Sequence, residues 1–559
     1  MSAQTFALLL VLGAIGTLIS VTARARGRAT TLDFYLAGRR VGTFTNACAI
    51  CGDYFSAASF LGVAAAVYAS GLDGVWYAAG FAAGFVPVLL FVAAPLRRFG
   101  RISLPDFLGE RFASEQVRVV AVVVVQLVVL AYLVPQAVGS GITWELLVGR
   151  GFGGLSAYAT GVVVSASLIA ALVVIGGMRG TTWNQALQFV LLLIVLVWLA
   201  TLVFSTGFSY PSAVEEASST PLLVPAPDDI SLTTVPDRLQ PDREAIFGTP
   251  GARYGGLGQF ALLATLVLGT AGLPHIMNRY FTSPTGRSTR FTTVWVLVLA
   301  GAFYALAVLL GTAARVTIAE HAASTPWLEA LTIDGVLRVP EHALLALGRI
   351  HAGVPGLGLV ATAAFAAMIS TIGGLLLAAA ASWGHDVYER YLNPKATQQQ
   401  AIRAGQLAVG VASALAAVIA LSLEPARLSS NFPSVVALLV TWAFALAGSA
   451  LTPVLLLSIW WRGISAKGAI AGMSVGTVTV LAALAIGLSR GGDTDDLGSL
   501  LLAPTLLAAP LATLTTVLVS RIDDPPAGLT GVWLRMHGTA ADRQVERFAR
   551  LAARQGRGR

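Results

Sequence analysis

A chain of 559 residues that is 56% hydrophobic and only 11% charged, against about 25% charged in a soluble globular protein, is expected to lie in a membrane. Its formal charge of +8 rests almost wholly on arginine, since Lys395 and Lys467 are the only lysines, and the arginines fall in short segments between apolar runs. That distribution sets membrane orientation and argues against nucleic acid as a partner; the two cysteines, Cys48 and Cys51, cannot build a disulfide framework.

Apolar runs of about 20 residues predict thirteen spans, near 3–22, 44–69, 74–97, 118–146, 154–177, 182–205, 256–276, 291–314, 355–382, 402–422, 434–461, 467–489 and 498–520. The first is no signal peptide: MSAQTFALLL has no positive n-region, and Arg24, Arg26 and Arg28 follow the run rather than precede it. It reads as an uncleaved anchor with its N-terminus outside. Arginine-bearing connections at 23–43, 98–117, 277–290, 383–401 and 462–467 then alternate as a cytoplasmic set, with a basic tail, 522–559, on the same side. That tail is expected to form a solvated or membrane-surface helix beside anionic lipid, with a partner-binding helix as the alternative. Loops 206–255 and 315–354, rich in Pro, Ser and Gly, read as extracytoplasmic caps.

The second span contains CGDYFSAASFLG, in which Gly52, Asp53, Tyr54, Ser56 and Ser59 sit at mid-depth. The seventh, ALLATLVLGTAGLPHIMNRYFT, carries Gly269, Thr270, Gly272 and Pro274 at a comparable depth. Backbone polar groups in lipid must be satisfied within a helix, so an unwound stretch is tolerated only where it lines a protein cavity. The two interruptions lie five spans apart, which predicts two five-helix halves of opposite topology, each opening with a broken helix, and places a binding site at the breaks. Glycines that merely allow close helix packing are the alternative for either span alone. In the ninth span Ser370 and Thr371 are adjacent at mid-depth, where two hydroxyls facing freed carbonyls suit a small hard cation. His275 is read as a packing or gating residue, with a proton relay as the alternative, and the CxxC pair within one apolar helix as structural. No nucleotide loop, kinase signature or hydrolase triad accompanies the spans, so no enzyme activity is expected.

Four stretches, DFYLAGRRVGTFTNACAICGDYFSAASFLG, GGMRGTTWNQALQ, GTAGLPHIMNRYFT and ISTIGGLLLAAAASWGHDVYER, resemble the sodium/solute symporter family, and within it are most similar to the cation/acetate symporters, or acetate permeases. The likeness runs from about residue 31 to 480 and implies an all-α integral membrane protein of the leucine-transporter type. A single transporter domain would fill 1–521, with a leading helix 3–22, repeats at about 44–205 and 256–461, and peripheral helices over 467–520. The resemblance implies a sodium site at the carbonyls of Gly52, Phe55 and Ala367 and the hydroxyls of Ser370 and Thr371. It implies solute contacts at Tyr54, Ser56, Ser59, Gln136, Gly269 and Thr270. Sodium is then a co-transported ion, no organic cofactor is expected, and no obligate protein partner is evident.

The implied activity is sodium-driven uptake of a small monocarboxylate such as acetate across the cell membrane. A proton-coupled monocarboxylate carrier, and a sodium symporter for a neutral solute such as proline or a sugar, remain open. Where some relatives carry an aspartate of a second sodium site, Gln185 stands here, so one sodium is expected. No arginine or lysine is expected at mid-depth, leaving an anion to N–H groups, hydroxyls and the cation. Asp53, a carboxylate in mid-span, is expected to face the cation side, where it either helps to hold a cation or a proton or fixes the break through hydrogen bonds.

Overall fold

A computed structural model describes residues 30–218, 221–225, 239–248, 250–251, 254–423, 434–490, 495–526 and 528–539, with a few isolated positions outside these ranges. Among them the apolar runs form helices α1 (Thr43–Tyr54), α2 (Ala58–Phe99), α3 (Leu104–Arg111), α4 (Glu115–Val148), α5 (Ala157–Ser205), α6 (Gly256–Gly272) and α7 (Pro274–Thr282). There follow α8 (Gly286–Ala322), α9 (Ala343–Ala381), α10 (Gln398–Ser422), α11 (Val435–Trp460), α12 (Ala466–Ser489), α13 (Asp496–Leu502), α14 (Thr505–Arg521) and α15 (Leu529–His537). Eight helical stretches of the described residues are long and apolar enough to cross a membrane, or ten if the bent pairs α6/α7 and α13/α14 each count as one.

Two of the eight carry two predicted spans each. α2 is interrupted at Gly71 (φ +56°), and α5 at Gly177 (φ +53°), both in a conformation that glycine adopts without a Cβ clash. All twelve predicted spans from 44–69 onward thus coincide with helix. The predicted leading span, 3–22, lies outside the described residues apart from isolated positions.

Helix starts are marked by capping oxygens: Ser114, Ser156, Ser434 and Ser465 each accept an N–H from the first turn of α4, α5, α11 and α12. α9 is the central strut. Its apolar window is wholly buried, against 28% for α10, which turns most of its surface outward. Small side chains make this possible, since LLLAAAA at 375–381 lets neighbouring backbones approach closely. In the two loops expected to be caps, strands β1 (Pro221–Pro225) and β2 (Leu239–Ile246) pair antiparallel, as do β3 (Thr332–Ile333) and β4 (Val336–Leu337). Asp73 pins the first loop by accepting from Gly251 N (2.7 Å), Tyr254 N (3.0 Å) and Gln259 Nε2 (2.8 Å).

The end of the bundle that carries the Arg-rich connections is closed by buried charge. Arg118 Nη1 meets Asp106 Oδ1 at 2.8 Å and Asp386 Oδ1 at 3.3 Å, Ser103 Oγ donates to Asp386 at 2.5 Å, and His385 Nε2 stands 3.7 Å from Asp106. Burial alone would raise the Asp106 carboxyl, but the His385 and Arg118 contacts outweigh it and hold the group well below the usual carboxylate range. With a guanidinium shared between both carboxylates, this cluster is a clamp joining α3, α4 and the helical segment Ser382–Leu392 that follows α9.

Where the tail is described, α15 packs back onto the body rather than standing free of it. Met536 is fully buried, Arg535 bonds Glu110 at 2.7 Å and covers the Phe99 ring, and His537 Nε2 lies 2.8 Å from the Ile459 carbonyl. Trp533, Met536 and the aliphatic part of Arg535 supply apolar surface that the count of arginines conceals. The other six arginines of the tail lie outside the described residues.

Candidate functional site

α1 ends in the middle of the bundle. Phe55 leaves helical geometry (φ −78°, ψ 82°), and Ser56 N turns back to the Tyr54 carbonyl, 2.9 Å away. Ala57 N is taken by Gln136 Oε1 at 2.9 Å. The Gly52 and Asp53 carbonyls therefore lose the N–H donors that a continuous helix would have given them. The helix resumes with Phe60 N on Ser56 O at 2.9 Å, opening with a wider turn over Ala58–Gly62. The second break is at Leu273 (φ −66°, ψ 115°), where α6 and α7 meet at 42° and Pro274 opens the new helix.

Three successive residues of α1 then reach three different helices, as a 100° step per residue requires. The Gly52 carbonyl accepts from Ser370 Oγ on α9, and that hydroxyl also lies 2.8 Å from the Ala367 carbonyl oxygen. Thr371 Oγ1, the next hydroxyl on α9, is buried with no partner of its own. Tyr54 Oη sits 2.8 Å from Thr270 Oγ1 and 3.0 Å from the Phe81 carbonyl, so it ties the two breaks together. Asp53 goes to neither: its Oδ2 accepts from Arg279 Nε at 3.1 Å.

Arg279 is the main correction to the sequence reading. Within the connection 277–290 it is expected to be an orientation charge, with no cationic side chain at mid-depth, yet it is 1% exposed and stands at the level of Asp53. The reason is the break itself. The helix restarts at Pro274 on a new axis, so Arg279 is still inside the bundle where an unbroken span would have ended. Its Nη1 donates to Thr182 Oγ1 at 2.6 Å and its Nη2 to Gln185 Oε1, while Gln185 Nε2 donates to the Ser370 carbonyl at 2.6 Å. Asp53, Arg279, Gln185 and Ser370 thus form one chain of charge-assisted and neutral hydrogen bonds. Gln185 supplies a neutral amide oxygen to the guanidinium. A lone carboxylate at mid-depth was the signal that could have found Arg279, because such a group needs a buried partner.

Glycines make this arrangement possible. A Cβ on Gly52 would strike the Gln185 backbone, and one on Gly374 would occupy the place of the Asp53 carboxylate. Gly374→Ala is therefore expected to displace Asp53, to destabilise by about 1–3 kcal/mol through overpacking and to abolish uptake. Gly373→Ala, whose Cβ would meet side-chain methyls alone, Thr181 Cγ2 at 3.2 Å and Val173 Cγ2 at 3.9 Å, is expected to be tolerated. Thermal unfolding of the two purified variants, with uptake measured alongside, checks the contrast.

The expected solute contacts divide. Ser59 Oγ is 2.8 Å from Tyr304 Oη, Gln136 is engaged by the break, and Tyr54 and Thr270 engage one another. Gly269 faces the Phe444 side chain, whose Cβ would lie 2.6 Å from an added Cβ, so it serves close helix packing rather than contact with a solute. Phe55 stacks on Phe303 with ring centroids 4.1 Å apart. Ser56 Oγ is buried without a hydrogen-bond partner. Cys48 and Cys51 are free and buried in α1. A cavity of about 550 Å³, lined by Asp33, Arg40, Thr45, Arg179, Thr182 and Trp183, reaches Thr182, the residue to which Arg279 donates.

The family model described as Sodium:solute symporter family matches residues 34–476. The chain belongs to that family. It is a multi-pass membrane protein, a sodium-coupled solute symporter and not an enzyme, with sodium as a co-transported ion. An uncharacterized symporter, YwcA of Bacillus subtilis (strain 168), is 32% identical over 483 residues, 85% of each chain. A solved structure described as the substrate-bound outward-open state of a Na+-coupled sialic acid symporter aligns with a TM-score of 0.66 at 17% identity, over 93% of this symporter and 98% of that chain. That likeness bears on the fold, which is of the leucine-transporter type, with inverted repeats opening at α1 and α6/α7. A nucleobase-cation-symport-1 family transporter, Mhp1, in a closed conformation aligns with a TM-score of 0.49 and 14% identity, over 90% and 98%.

Proposed function

We propose that the symporter couples inward sodium flow to uptake of a small monocarboxylate such as acetate. The observation that carries this reading is the meeting of α1 and α9: Ser370 Oγ contacts both the freed Gly52 carbonyl and the Ala367 carbonyl, and Thr371 Oγ1, the next hydroxyl along α9, is buried and unpartnered. These are oxygen donors, as a small hard cation requires, and the unwound Phe55 carbonyl completes the set. Sodium is cargo here, and its seat touches both the moving break and the central strut α9. Cation binding would favour one arrangement of α1 against α9, complete the solute site between the breaks among Tyr54, Ser56, Ser59, Gln136 and Thr270, and permit the rocking that exposes the site to the other side.

Two features support an anionic solute. Arg40 and Arg179 outnumber Asp33 in the lining of the cavity that includes Thr182, the residue to which Arg279 donates, so that cavity is net basic. By the arginine distribution the Arg-rich end is cytoplasmic, as is the C-terminus, with the N-terminus outside. Asp53, held by Arg279, is turned to the α5/α7 side, away from Ser56, and does not oppose a carboxylate.

One sodium with one monovalent anion moves no net charge, so a membrane potential, worth roughly 2.3 kcal/mol per charge per 100 mV, contributes nothing. Uptake of labelled acetate into proteoliposomes is expected under an inward sodium gradient and to be unchanged by an imposed potential. Uptake driven by a proton gradient instead would establish proton coupling. Absence of acetate uptake under either gradient, with proline or glucose accumulated, would replace the substrate class.

A further inference from the structure

Between the two breaks, three polar side chains are buried close together. Ser56 Oγ, on the unwound turn after α1, has no hydrogen-bond partner, and neither ring nitrogen of His275, in the first turn of α7, has one. Tyr132, on α4, lies between them: its ring centroid is 5.4 Å from that of His275 in an edge-on arrangement, and its hydroxyl neighbours Ser56. Exposures of 0% for Ser56, 1% for His275 and 1% for Tyr132 remove solvent as an explanation. A buried donor or acceptor without a partner bears its full desolvation cost, and such groups persist in native proteins where something else requires them.

We propose that Ser56, Tyr132 and His275 are the carboxylate-recognising residues of the solute site. This rests on the monocarboxylate reading above and adds to it Tyr132 and His275. The chemistry of the three groups fits one ligand class. Two hydroxyls and, in either tautomer, one imidazole N–H provide directed donors from three helices, and a carboxylate offers two oxygens with about four lone-pair sites. His275 also sits at the N-terminal end of α7, where the helix dipole favours negative charge. The walls are apolar and rigid. Phe444 stands 5.6 Å from the Tyr132 ring and 6.0 Å from the Tyr54 ring, and Phe85 lies 4.6 Å from Tyr54. A methyl or ethyl group is suited to such walls, whereas a sugar would leave most of its hydroxyls unsatisfied. Gln136 positions the trio indirectly: one turn beyond Tyr132 on α4, it takes Ala57 N and so holds Ser56 at that helix. Arg279, one turn beyond His275, is committed to Asp53 and Gln185 and leaves recognition to neutral donors.

The test compares wild type, Ser56→Ala, Tyr132→Phe, His275→Ala and His275→Gln in proteoliposomes under an inward sodium gradient, measuring the half-saturating acetate concentration. The upward shift of unfolding temperature by sodium in the absence of acetate is measured on the same preparations. Ser56→Ala, Tyr132→Phe and His275→Ala are each expected to raise half-saturation roughly ten- to hundredfold, with His275→Gln, which keeps a donor, intermediate and the sodium shift retained throughout. Unchanged half-saturation in Tyr132→Phe and His275→Gln, with the sodium shift intact, would overturn the assignment while leaving monocarboxylate transport standing. If His275→Ala loses the sodium shift its fold is disturbed, and the isosteric Tyr132→Phe then decides. Absence of acetate uptake by the wild type would overturn the substrate reading and the trio with it, and is told apart by appearing before any substitution is made.

Discussion

Replacing Ser370 and Thr371 together by alanine is expected to abolish sodium-driven uptake while leaving a folded protein. Ser370 Oγ contacts both the Gly52 and the Ala367 carbonyls, and Thr371 Oγ1 has no partner that it would abandon. Thr371→Ala therefore removes an oxygen at no cost in internal hydrogen bonding, and its whole effect falls on the ion. Ser370→Ala removes the donor to the Gly52 carbonyl and so weakens the contact between α1 and α9. Each single change is expected to raise the sodium concentration for half-maximal uptake at least tenfold, the loss of about 1.4 kcal/mol of ion binding, and the pair to remove sodium dependence altogether. The discriminating measurement is the sodium-induced rise in unfolding temperature: wild type should show it and the double variant should not, at an unchanged baseline. A double variant that keeps both the sodium shift and sodium-driven uptake would exclude these hydroxyls as ligands.

The second large effect concerns Asp53 and Arg279. Each is buried, and each is the other's counter-charge at 3.1 Å. Removing one member leaves the other as an uncompensated buried charge, which costs about 3–5 kcal/mol, whereas removing both together is often close to neutral. Asp53→Asn and Arg279→Gln are therefore each expected to lower the unfolding temperature sharply and to abolish uptake. The double variant should regain most of the lost stability. Sodium dependence should change in the same series, because Arg279 holds Gln185 and Gln185 holds the Ser370 carbonyl. Single variants as stable as the wild type would mean that the two charges do not meet. A double variant no better than the worse single one would mean that other contacts, such as Thr182 on Arg279, outweigh the pair.

The membrane class, the positions of the spans, the interruptions near Gly52 and Leu273 and the hydroxyl pair on α9 were legible in the sequence. Each is a local property of a run of about 20 residues: mean apolarity, a glycine or proline within it, two hydroxyls side by side. A count of apolar residues ends the seventh span before Arg279, because it assumes one straight helix through a bend of 42°. The partner of Asp53 was hidden for the same reason, although a carboxylate in mid-span required one.

What only the tertiary structure decided is which faces of distant helices meet. Asp53 and Arg279 are 226 residues apart, Gly52 and Ser370 318, and α15 reaches Glu110 across 425. Helical periodicity assigns a side chain to a face but does not say what that face will touch. Whether Ser59 is taken by Tyr304, Gln136 by a backbone N–H, or Gly269 filled by Phe444 depends on the packing of several helices at once. By itself the sequence determined a membrane-embedded symporter with two broken helices and a pair of hydroxyls. Packing determined which of its polar groups are already satisfied by the chain, and so which ones remain for an ion and a solute.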